Sequence, residues 1–170
     1  MEVELNLHLH PQGRRLFLFR AMIALAGTAA LNFQLRLGRA DDNPWTAADA
    51  IDPNTLAEEL AHADASTRPT ILYVGFKPLF AGGHITGALY HGTSSSATGL
   101  AEMKKWAATL PRTKYLVIYC GCCPFGYCPN IRPAFVALHA MGFTRLRVLV
   151  MPNNFASDWV EKGYPVEKGP

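Results

Sequence analysis

The four cysteines of this 170-residue chain all fall between Cys120 and Cys128. The segment begins where an apolar run, residues 115–119, ends, and it closes just before Asn130, where the sequence pattern predicts the start of a helix. A thiol at this junction would lie near main-chain N–H groups and the positive end of a helix dipole, and both favour the thiolate. Because the thiolate is the reactive form of sulfur, the chemistry is predicted to reside in this loop.

Cys120 is the predicted nucleophile, since it directly follows the apolar run. Its sulfur is expected to be surrounded by the amides of the non-proline residues 121–125, and by those of Asn130 and Ile131 at the helix start. The alternative is a half-buried cysteine at a strand end with no chemical role.

Further loop residues are candidates for binding a substrate. Gly121 and Gly126 permit the backbone angles that a turn around sulfur needs. Phe125 and Tyr127 either form a wall of the pocket or pack against the protein. Arg132 either contacts the loop or an anionic substrate, or lies on a solvated helix face.

Charge and composition exclude several classes of function. Residues 1–40 hold five Arg and two Glu, which leaves eleven basic and eleven acidic residues for 41–170. A body with balanced charge exerts little pull on nucleic acid, so a nucleic-acid partner is not expected. The sequence contains neither a phosphate-binding loop nor a dinucleotide-binding motif, and no cofactor is expected.

The N-terminal segment has the pattern of an export signal. Arg14 and Arg15 precede Phe17 and Leu18 as in twin-arginine signals, and the apolar stretch 21–31 follows. Residues 38–40 offer a small-x-small cleavage site. We therefore expect a removable signal over 1–40, a lead-in over 41–50, a folded domain over 51–167 without a membrane span, and a bacterial location that is periplasmic or otherwise exported. A retained anchoring helix is the alternative.

The remainder of the chain alternates between two patterns. Short apolar runs predict buried strands, and apolar residues at helical spacing predict helices. The first helix begins either with Asp52 as its cap and Pro53 at its first position, or with a capping box of Thr55 and Glu58. The predicted strands are residues 70–74, 88–90, 115–119 and 146–150, and the predicted helices are 56–63, 100–110, 131–141 and 155–162. Such alternation predicts a parallel sheet with helices on both faces and a working site at the carboxyl ends of the strands.

Three blocks resemble the rhodanese-like sulfurtransferase family. The first is the strand 71–74 followed by Gly-His-Ile-Thr-Gly-Ala at 83–88. The second is the strand 115–119 ending in Cys120, where the family has its active cysteine. The third comprises Gly142, Phe143, the strand around 148–149, Trp159, and Gly-Tyr-Pro at 163–165.

This resemblance implies a three-layer α/β/α fold with a central, mainly parallel sheet of about five strands. It also implies that Cys120 takes a sulfane sulfur from a donor, holds it as a persulfide and passes it to a thiol or another nucleophile. The expected partners are thus a small sulfur-containing substrate and a thiol acceptor. His84, within the first block, is expected to bond local main chain and fix a turn.

The sequence also departs from the family at the site. Tyr73 stands where the family usually has Asp, and Gly75 where it often has Arg. The loop is longer than usual and has no basic residue between 115 and 131, which leaves Arg132 as the nearest cation. Since thiosulfate is a dianion that benefits from Arg or Lys, we expect a thiol persulfide or polysulfide to be the better donor.

The three additional cysteines, Cys122, Cys123 and Cys128, have three interpretations. A structural disulfide joins Cys128 to Cys122 or Cys123, because adjacent cysteines pair only with strain. Alternatively, one of them resolves the Cys120 persulfide, releasing hydrosulfide and leaving a disulfide. In the third, all four cysteines bind a soft ion such as Cu(I), since their spacing is not that of zinc ribbons. The corresponding alternative functions are a non-catalytic metal- or partner-binding module and a thiol–disulfide oxidoreductase.

Overall fold

The structure of the protein is a computed structural model that describes residues 43–170, which form one structural unit. The predicted export signal and its cleavage site lie outside the described residues. Within 43–170, none of the helices is both long enough and apolar enough to cross a lipid bilayer.

Within residues 43–170, five short strands form a fully parallel sheet. The strands are β1 (Ala50–Ile51), β2 (Thr70–Tyr73), β4 (Leu89–Tyr90), β5 (Leu116–Tyr119) and β6 (Leu146–Leu149). Their order in the sheet is β1-β6-β5-β2-β4, so β5 lies at its centre, with β2 on one side and β6 on the other. A separate antiparallel pair joins β3 (His84–Ile85) to β7 (Val166–Glu167).

In the described part of the chain, four α-helices and three short helical turns connect the strands. The helices are α1 (Pro53–His62), α2 (Lys77–Gly82), α3 (Ala97–Ala107) and α4 (Ile131–Ala140). Two 3₁₀ turns span Ala47–Asp49 and Phe125–Tyr127, and a π-helical turn spans Ala156–Val160.

The helices cover both faces of the sheet, because the central strands are apolar on both sides. On one face, Leu116 and Ile118 of β5 share a core with residues of α3 and α4, including Met103 and Phe135. On the other face, Val117 and its neighbours share a second core, to which α1, α2 and the π-helical turn contribute Leu56, Phe80 and Trp159. The predicted three-layer α/β/α architecture is confirmed.

Most of the longer predicted elements are present. α1 begins with Asp52, whose carboxylate accepts the N–H of Thr55 at 3.0 Å, with Pro53 at the first helical position. The structure thus selects the Asp52 cap over the Thr55–Glu58 capping box. α3 ends at Ala107, four residues before Pro111, and the predicted C-terminal helix is the π-helical turn.

Several short elements were not predicted. β1 lies at the end of the segment that was interpreted as a lead-in, and pairs with β6. α2 is only six residues long and holds Pro78 in its first turn. β3, β7 and β1 each comprise two residues, which is too short for an alternating pattern.

Candidate functional site

The site lies where β2 and β5 end side by side. Tyr73 and Tyr119 are register partners at the last positions of these strands. The main chain continues this pairing for one step, since the N–H of Val74 donates to the carbonyl of Tyr119 at 2.9 Å. The next residue after Tyr119 is Cys120, so its thiol lies at the carboxyl edge of the sheet, where open α/β folds bind ligands.

Cys120 is buried, with 2% of its surface exposed. Its Sγ lies 3.2 Å from the Sγ of Cys122 and receives the main-chain N–H of Cys122. Of the other amides in the expected cup, the N–H of Phe125 donates instead to the carbonyl of Met151 at 3.1 Å, and those of Asn130 and Ile131 act on a different sulfur.

That other sulfur belongs to Cys128, which is half-buried next to the start of α4. The pKa of the Cys128 thiol is lowered to about 6, first by a hydrogen bond from the Cys120 thiol and then by the N–H groups of Asn130 and Ile131. The pKa of Cys120 is correspondingly raised, chiefly by its hydrogen bond to Cys128 and by burial. The prediction placed the amides of the helix start on Cys120, whereas they lower the pKa of Cys128. The Cys120 thiol also donates to Cys122 Sγ, 3.2 Å away.

The remaining two cysteines extend the sulfur cluster outward. Cys122 Sγ also lies 3.2 Å from Cys123 Sγ, and both residues are half-buried. Burial raises the pKa of Cys123 to about 12, so it is a thiol at neutral pH. All four cysteines are free thiols in the structure, and the predicted disulfide of Cys128 with Cys122 or Cys123 stays a prediction.

Three of the four sulfurs are close enough to share one ion. The Sγ atoms of Cys120, Cys122 and Cys128 all lie within 4.8 Å of one another. Three thiolates at such separation suit a soft ion such as Cu(I). Cys123 is not part of this group.

Asn130 fixes the position of Cys120 in a way that sequence reasoning missed. Asn130 is the N-cap residue of α4 by position, but it has helical backbone angles and its side chain makes no capping hydrogen bond. Instead, its Nδ2 donates to Cys120 Sγ at 3.4 Å, and its Oδ1 accepts the N–H of Ser95 at 3.1 Å. Asn130 is fully buried, and its carbonyl accepts the hydroxyl of Ser94 at 2.5 Å.

Tyr73 and Gly75 shape the space beside Cys120. A Cβ added to Gly75 would lie 2.5 Å from the Tyr73 hydroxyl oxygen and 2.8 Å from Cys120 Sγ. Only glycine therefore fits here, and the gap between residue 75 and these two groups is too narrow for a further atom. Burial raises the pKa of Tyr73, which keeps its hydroxyl protonated. That hydroxyl is buried and has no hydrogen-bond partner among residues 43–170.

A cleft of about 470 Å³ opens next to this gap. Its wall includes Tyr73, Cys120, Gly121 and Cys122, so the cleft gives small molecules a route to the sulfur cluster. The other lining residues are mostly apolar, among them Leu79, Phe155, Val160 and Val166, and the polar ones include Asn154 and Lys168.

The loop is supported from its outer side by Trp45. The ring of Trp45 packs edge-on against Phe125, with centroids 5.2 Å apart, and against Phe135 at 5.7 Å. The Arg132 guanidinium lies 5.7 Å from the centroid of the Trp45 ring and donates to Asn43 at 3.1 Å. Arg132 thus points to the N-terminal side of the unit and does not line the cleft.

The remaining predicted site residues have simpler roles. Gly121 adopts a positive φ of 72°, as predicted for a turn around sulfur, whereas the φ of Gly126 is not positive. Tyr127 is 85% exposed and does not line the cleft, so its predicted role as a pocket wall is wrong. His84 bonds the carbonyl of Phe80 at 2.8 Å, as expected for a turn-fixing residue, and also Glu167 at 3.0 Å.

Comparison with known proteins identifies the fold. No family model matches the sequence, and no curated protein matches it in sequence either. Among solved structures, the rhodanese-like domain of the Alr3790 protein from Anabaena sp. is similar, with a TM-score of 0.52 and 21% identity over 71% of this chain and 79% of that one.

Two further solved structures are similar. A crystal structure of the same Alr3790 protein gives a TM-score of 0.51 and 19% identity over 70% of this chain and 92% of the other. The BH2092 protein from Bacillus halodurans gives 0.55 and 15% identity over 84% and 86%. The described part of the chain therefore has a rhodanese-like fold, with a cysteine cluster at the carboxyl edge of its sheet.

Proposed function

We propose that the protein is a sulfurtransferase that carries sulfane sulfur as a persulfide on Cys120. The observation that carries the proposal is the pairing of two cysteines with different roles. Cys120 contributes to the wall of the 470 Å³ cleft, and the nearby thiol of Cys128, whose Sγ lies within 4.8 Å, has a pKa lowered to about 6, which suits it to accept a proton. Cys128 does not line the cleft, so of these two cysteines a donor in the cleft meets Cys120 first.

In the proposed transfer, Cys120 attacks the outer sulfur of a thiol persulfide. The Sγ–S bond forms while the S–S bond of the donor breaks, and the departing thiolate takes the electron pair of that bond. The proton of Cys120 passes to Cys128 and from there to the departing thiolate. No electrons are gained or lost overall. A second thiol then attacks the outer sulfur, and Cys120 leaves with its bonding pair.

The composition of the cleft favours an uncharged or weakly charged sulfur donor. Leu79, Phe155, Val160 and Val166 give it apolar walls, and Lys168 is the cationic residue among those that line it. Thiosulfate would bring two negative charges into these surroundings with one Lys to meet them. A persulfide with an apolar body is therefore the proposed donor class.

Mass analysis of the loop peptide tests this proposal. Reduced protein is exposed to a low-molecular-weight thiol persulfide or, separately, to thiosulfate, and is then alkylated and digested. We expect Cys120 to gain the mass of one sulfur, more readily from the persulfide. Cys120→Ser should abolish the gain, and Cys123→Ser, a matched change in the same loop, should retain it. Sulfur on Cys128 in place of Cys120, or on neither, would refute the proposal.

A second candidate function is binding of a soft metal ion. It rests on the 4.8 Å grouping of the Cys120, Cys122 and Cys128 sulfurs. Stoichiometric copper in protein purified without chelators, lost in Cys122→Ser but kept in Cys123→Ser, would favour it.

Export to the bacterial periplasm is proposed separately, on the twin-arginine pattern of residues 14–18. Fractionation of cells that express the full chain tests this. Replacing Arg14 and Arg15 with Lys should keep the protein in the cytoplasm, whereas an unchanged distribution would contradict the proposal.

A further inference from the structure

Tyr73 presents an unexplained polar group at the site. The residue is 3% exposed, and its hydroxyl oxygen lacks a hydrogen-bond partner within the described residues. A buried hydroxyl without a partner destabilises a folded protein, so each such group calls for an explanation. Phenylalanine would fill the same volume without this cost.

The hydroxyl groups of three neighbouring tyrosines all have hydrogen-bond partners. The Tyr119 hydroxyl accepts the N–H of Ile85 at 3.0 Å, the Tyr90 hydroxyl bonds Thr93 at 3.0 Å, and the Tyr115 hydroxyl donates to Glu59 at 2.8 Å. Of these four tyrosines, Tyr73 alone has a hydroxyl without a hydrogen-bond partner among residues 43–170. Its ring is held by Phe80, Tyr90 and Tyr119, with centroids 5.5, 6.3 and 5.1 Å away, so the hydroxyl has a fixed location.

That location is next to the thiol of Cys120. One point, the Cβ position of Gly75, lies within 3 Å of both the Tyr73 oxygen and Cys120 Sγ. The two atoms are therefore close neighbours. An S–S bond is about 2.05 Å long. A second sulfur attached to Cys120 and directed toward Tyr73 would therefore fall within hydrogen-bond reach of the Tyr73 hydroxyl.

We propose that the Tyr73 hydroxyl is the hydrogen-bond donor to the outer sulfur of the Cys120 persulfide, which makes Tyr73 a catalytic residue of the transfer. The inference rests on the proposed function. The outer sulfur carries negative charge when it is deprotonated, and a fixed donor in a buried site stabilises such charge. Tyr73 supplies the donor, and Gly75 allows it to lie this close to Cys120, because a Cβ at position 75 would overlap both groups.

The same arrangement accounts for the lack of a basic residue in the loop. The sequence has no Lys or Arg between 115 and 131. A neutral hydroxyl can donate a hydrogen bond to the single negative charge of a persulfide. It attracts a dianion less strongly than a cationic side chain would. Tyr73 is therefore also a selectivity determinant in favour of persulfide over thiosulfate.

The test compares Tyr73→Phe with Tyr119→Phe in the full chain. Single-turnover transfer from a low-molecular-weight thiol persulfide to Cys120, and then to a thiol, is followed by mass analysis. Thermal unfolding and the absorption spectrum of the persulfide are recorded in parallel. Tyr73→Phe should slow transfer about 10- to 100-fold, the typical effect of one hydrogen bond to a charged group, and alter the persulfide spectrum.

Stability separates this role from a structural one. Tyr73→Phe removes an unpartnered hydroxyl, so its melting temperature should be equal to or higher than that of the parent protein. Tyr119→Phe leaves the Ile85 amide without its acceptor, so it should unfold at a lower temperature and still transfer sulfur at the parental rate. Parental transfer by Tyr73→Phe, or a loss of stability equal to that of Tyr119→Phe, would overturn the inference.

Sulfur uptake by the parent protein distinguishes failure of the proposed function from failure of this inference alone. If the parent protein takes up no sulfur at Cys120, the proposed function fails and this inference with it. If it takes up sulfur and Tyr73→Phe matches its rate and spectrum, only the role of Tyr73 is refuted.

Discussion

The side-chain amide of Asn130 donates to the Sγ of Cys120 at 3.4 Å, across the short gap between the end of β5 and the start of α4. Ser94 and Ser95 hold Asn130 from the opposite side, through its carbonyl and its side-chain oxygen. The loop that precedes α3 therefore determines where the donor to Cys120 lies. Three segments distant in sequence converge on one sulfur, and none of them carries a charged side chain at this point.

Asn130→Asp should slow sulfur loading of Cys120 without a change in side-chain size. The substitution replaces the N–H donor by a carboxylate oxygen and adds a negative charge beside a sulfur that must become negative. Loss of one charge-assisted hydrogen bond corresponds to about a 10- to 100-fold slower reaction. The measurement is the rate of mass gain on the loop peptide after persulfide exposure.

The control for this substitution is Ser96→Ala. It removes the cap of α3, where the Ser96 hydroxyl oxygen accepts the N–H of Gly99 at 3.1 Å, and should cost about 1 kcal/mol of stability. Its loading rate should equal that of the parent protein. Equal rates for folded Asn130→Asp and the parent would contradict a role for Asn130 in positioning Cys120.

The alkylation of Cys128 should depend on pH with a midpoint of about 6. Because the pKa is lowered, the thiolate is present above this pH and is lost as the pH falls through it. Cys120, whose pKa is raised, should be alkylated more slowly than Cys128 over the pH range tested. Peptide mapping after brief treatment with a neutral alkylating reagent, from pH 4 to pH 9, measures both residues at once.

Cys120→Ala should shift the Cys128 midpoint upward. It removes the hydrogen bond that contributes most to the low pKa of Cys128, while the amides of Asn130 and Ile131 stay. Preferential alkylation of Cys120 near neutral pH would show that the assignment of the thiolate to Cys128 is incorrect.

Gly75→Ala should both destabilise the protein and block Cys120. The added methyl group would overlap the Tyr73 ring and the Cys120 sulfur at 2.5 to 2.8 Å, and such overpacking costs about 1–3 kcal/mol. Chemical denaturation gives the stability change, and alkylation under denaturing conditions gives the extent of persulfide formation.

Gly126→Ala serves as the matched change for Gly75→Ala. A Cβ at Gly126 meets nothing within 4 Å, and its φ is not positive. We expect a stability change within about 0.5 kcal/mol and unimpaired loading. If Gly75→Ala behaved in the same way, the gap beside Cys120 would have no role in the reaction.

Trp45→Ala should loosen the cysteine loop. The Trp45 ring contacts Phe125 within the loop and Phe135 on α4, and the loss of two aromatic contacts with partial burial costs about 2–3 kcal/mol. The loop thiols should then be alkylated faster than in the parent protein at equal pH. The alkylation rate of Trp45→Phe should lie between those of the parent protein and Trp45→Ala. An unchanged alkylation rate in the folded alanine variant would show that Trp45 does not restrain the loop.

The length of each element largely decided what could be predicted from sequence. β2, β5 and β6 are strands of four residues of which three or four are apolar, and α1, α3 and α4 are ten or eleven residues long with an apolar stripe, so their patterns were visible. The two-residue strands and the six-residue α2 contain too few positions for a period to appear. They form because the larger elements bring complementary main-chain groups together.

For the site, the sequence predicted the location but not the division of roles. The step from an apolar strand into Cys120 indicated the correct edge of the sheet. Which sulfur receives the amides of the helix start depends on how the chain turns between Gly121 and Cys128, and no local pattern encodes that turn. Asn130 has the residue type and position of a helix cap, but its helical backbone angles, φ −93° and ψ −33°, direct its side chain to Cys120 instead.

The outer strands of the main sheet, β1 and β4, are each only two residues long. The more unpaired N–H and C=O groups an exposed strand edge has, the more readily the backbone of another chain pairs with it. Two residues provide very few such groups. The folded unit thus offers poor templates for β-sheet growth between molecules. Because these edge strands are short, the folded unit is protected from one common route into fibrous aggregates, although it holds four free thiols in one loop.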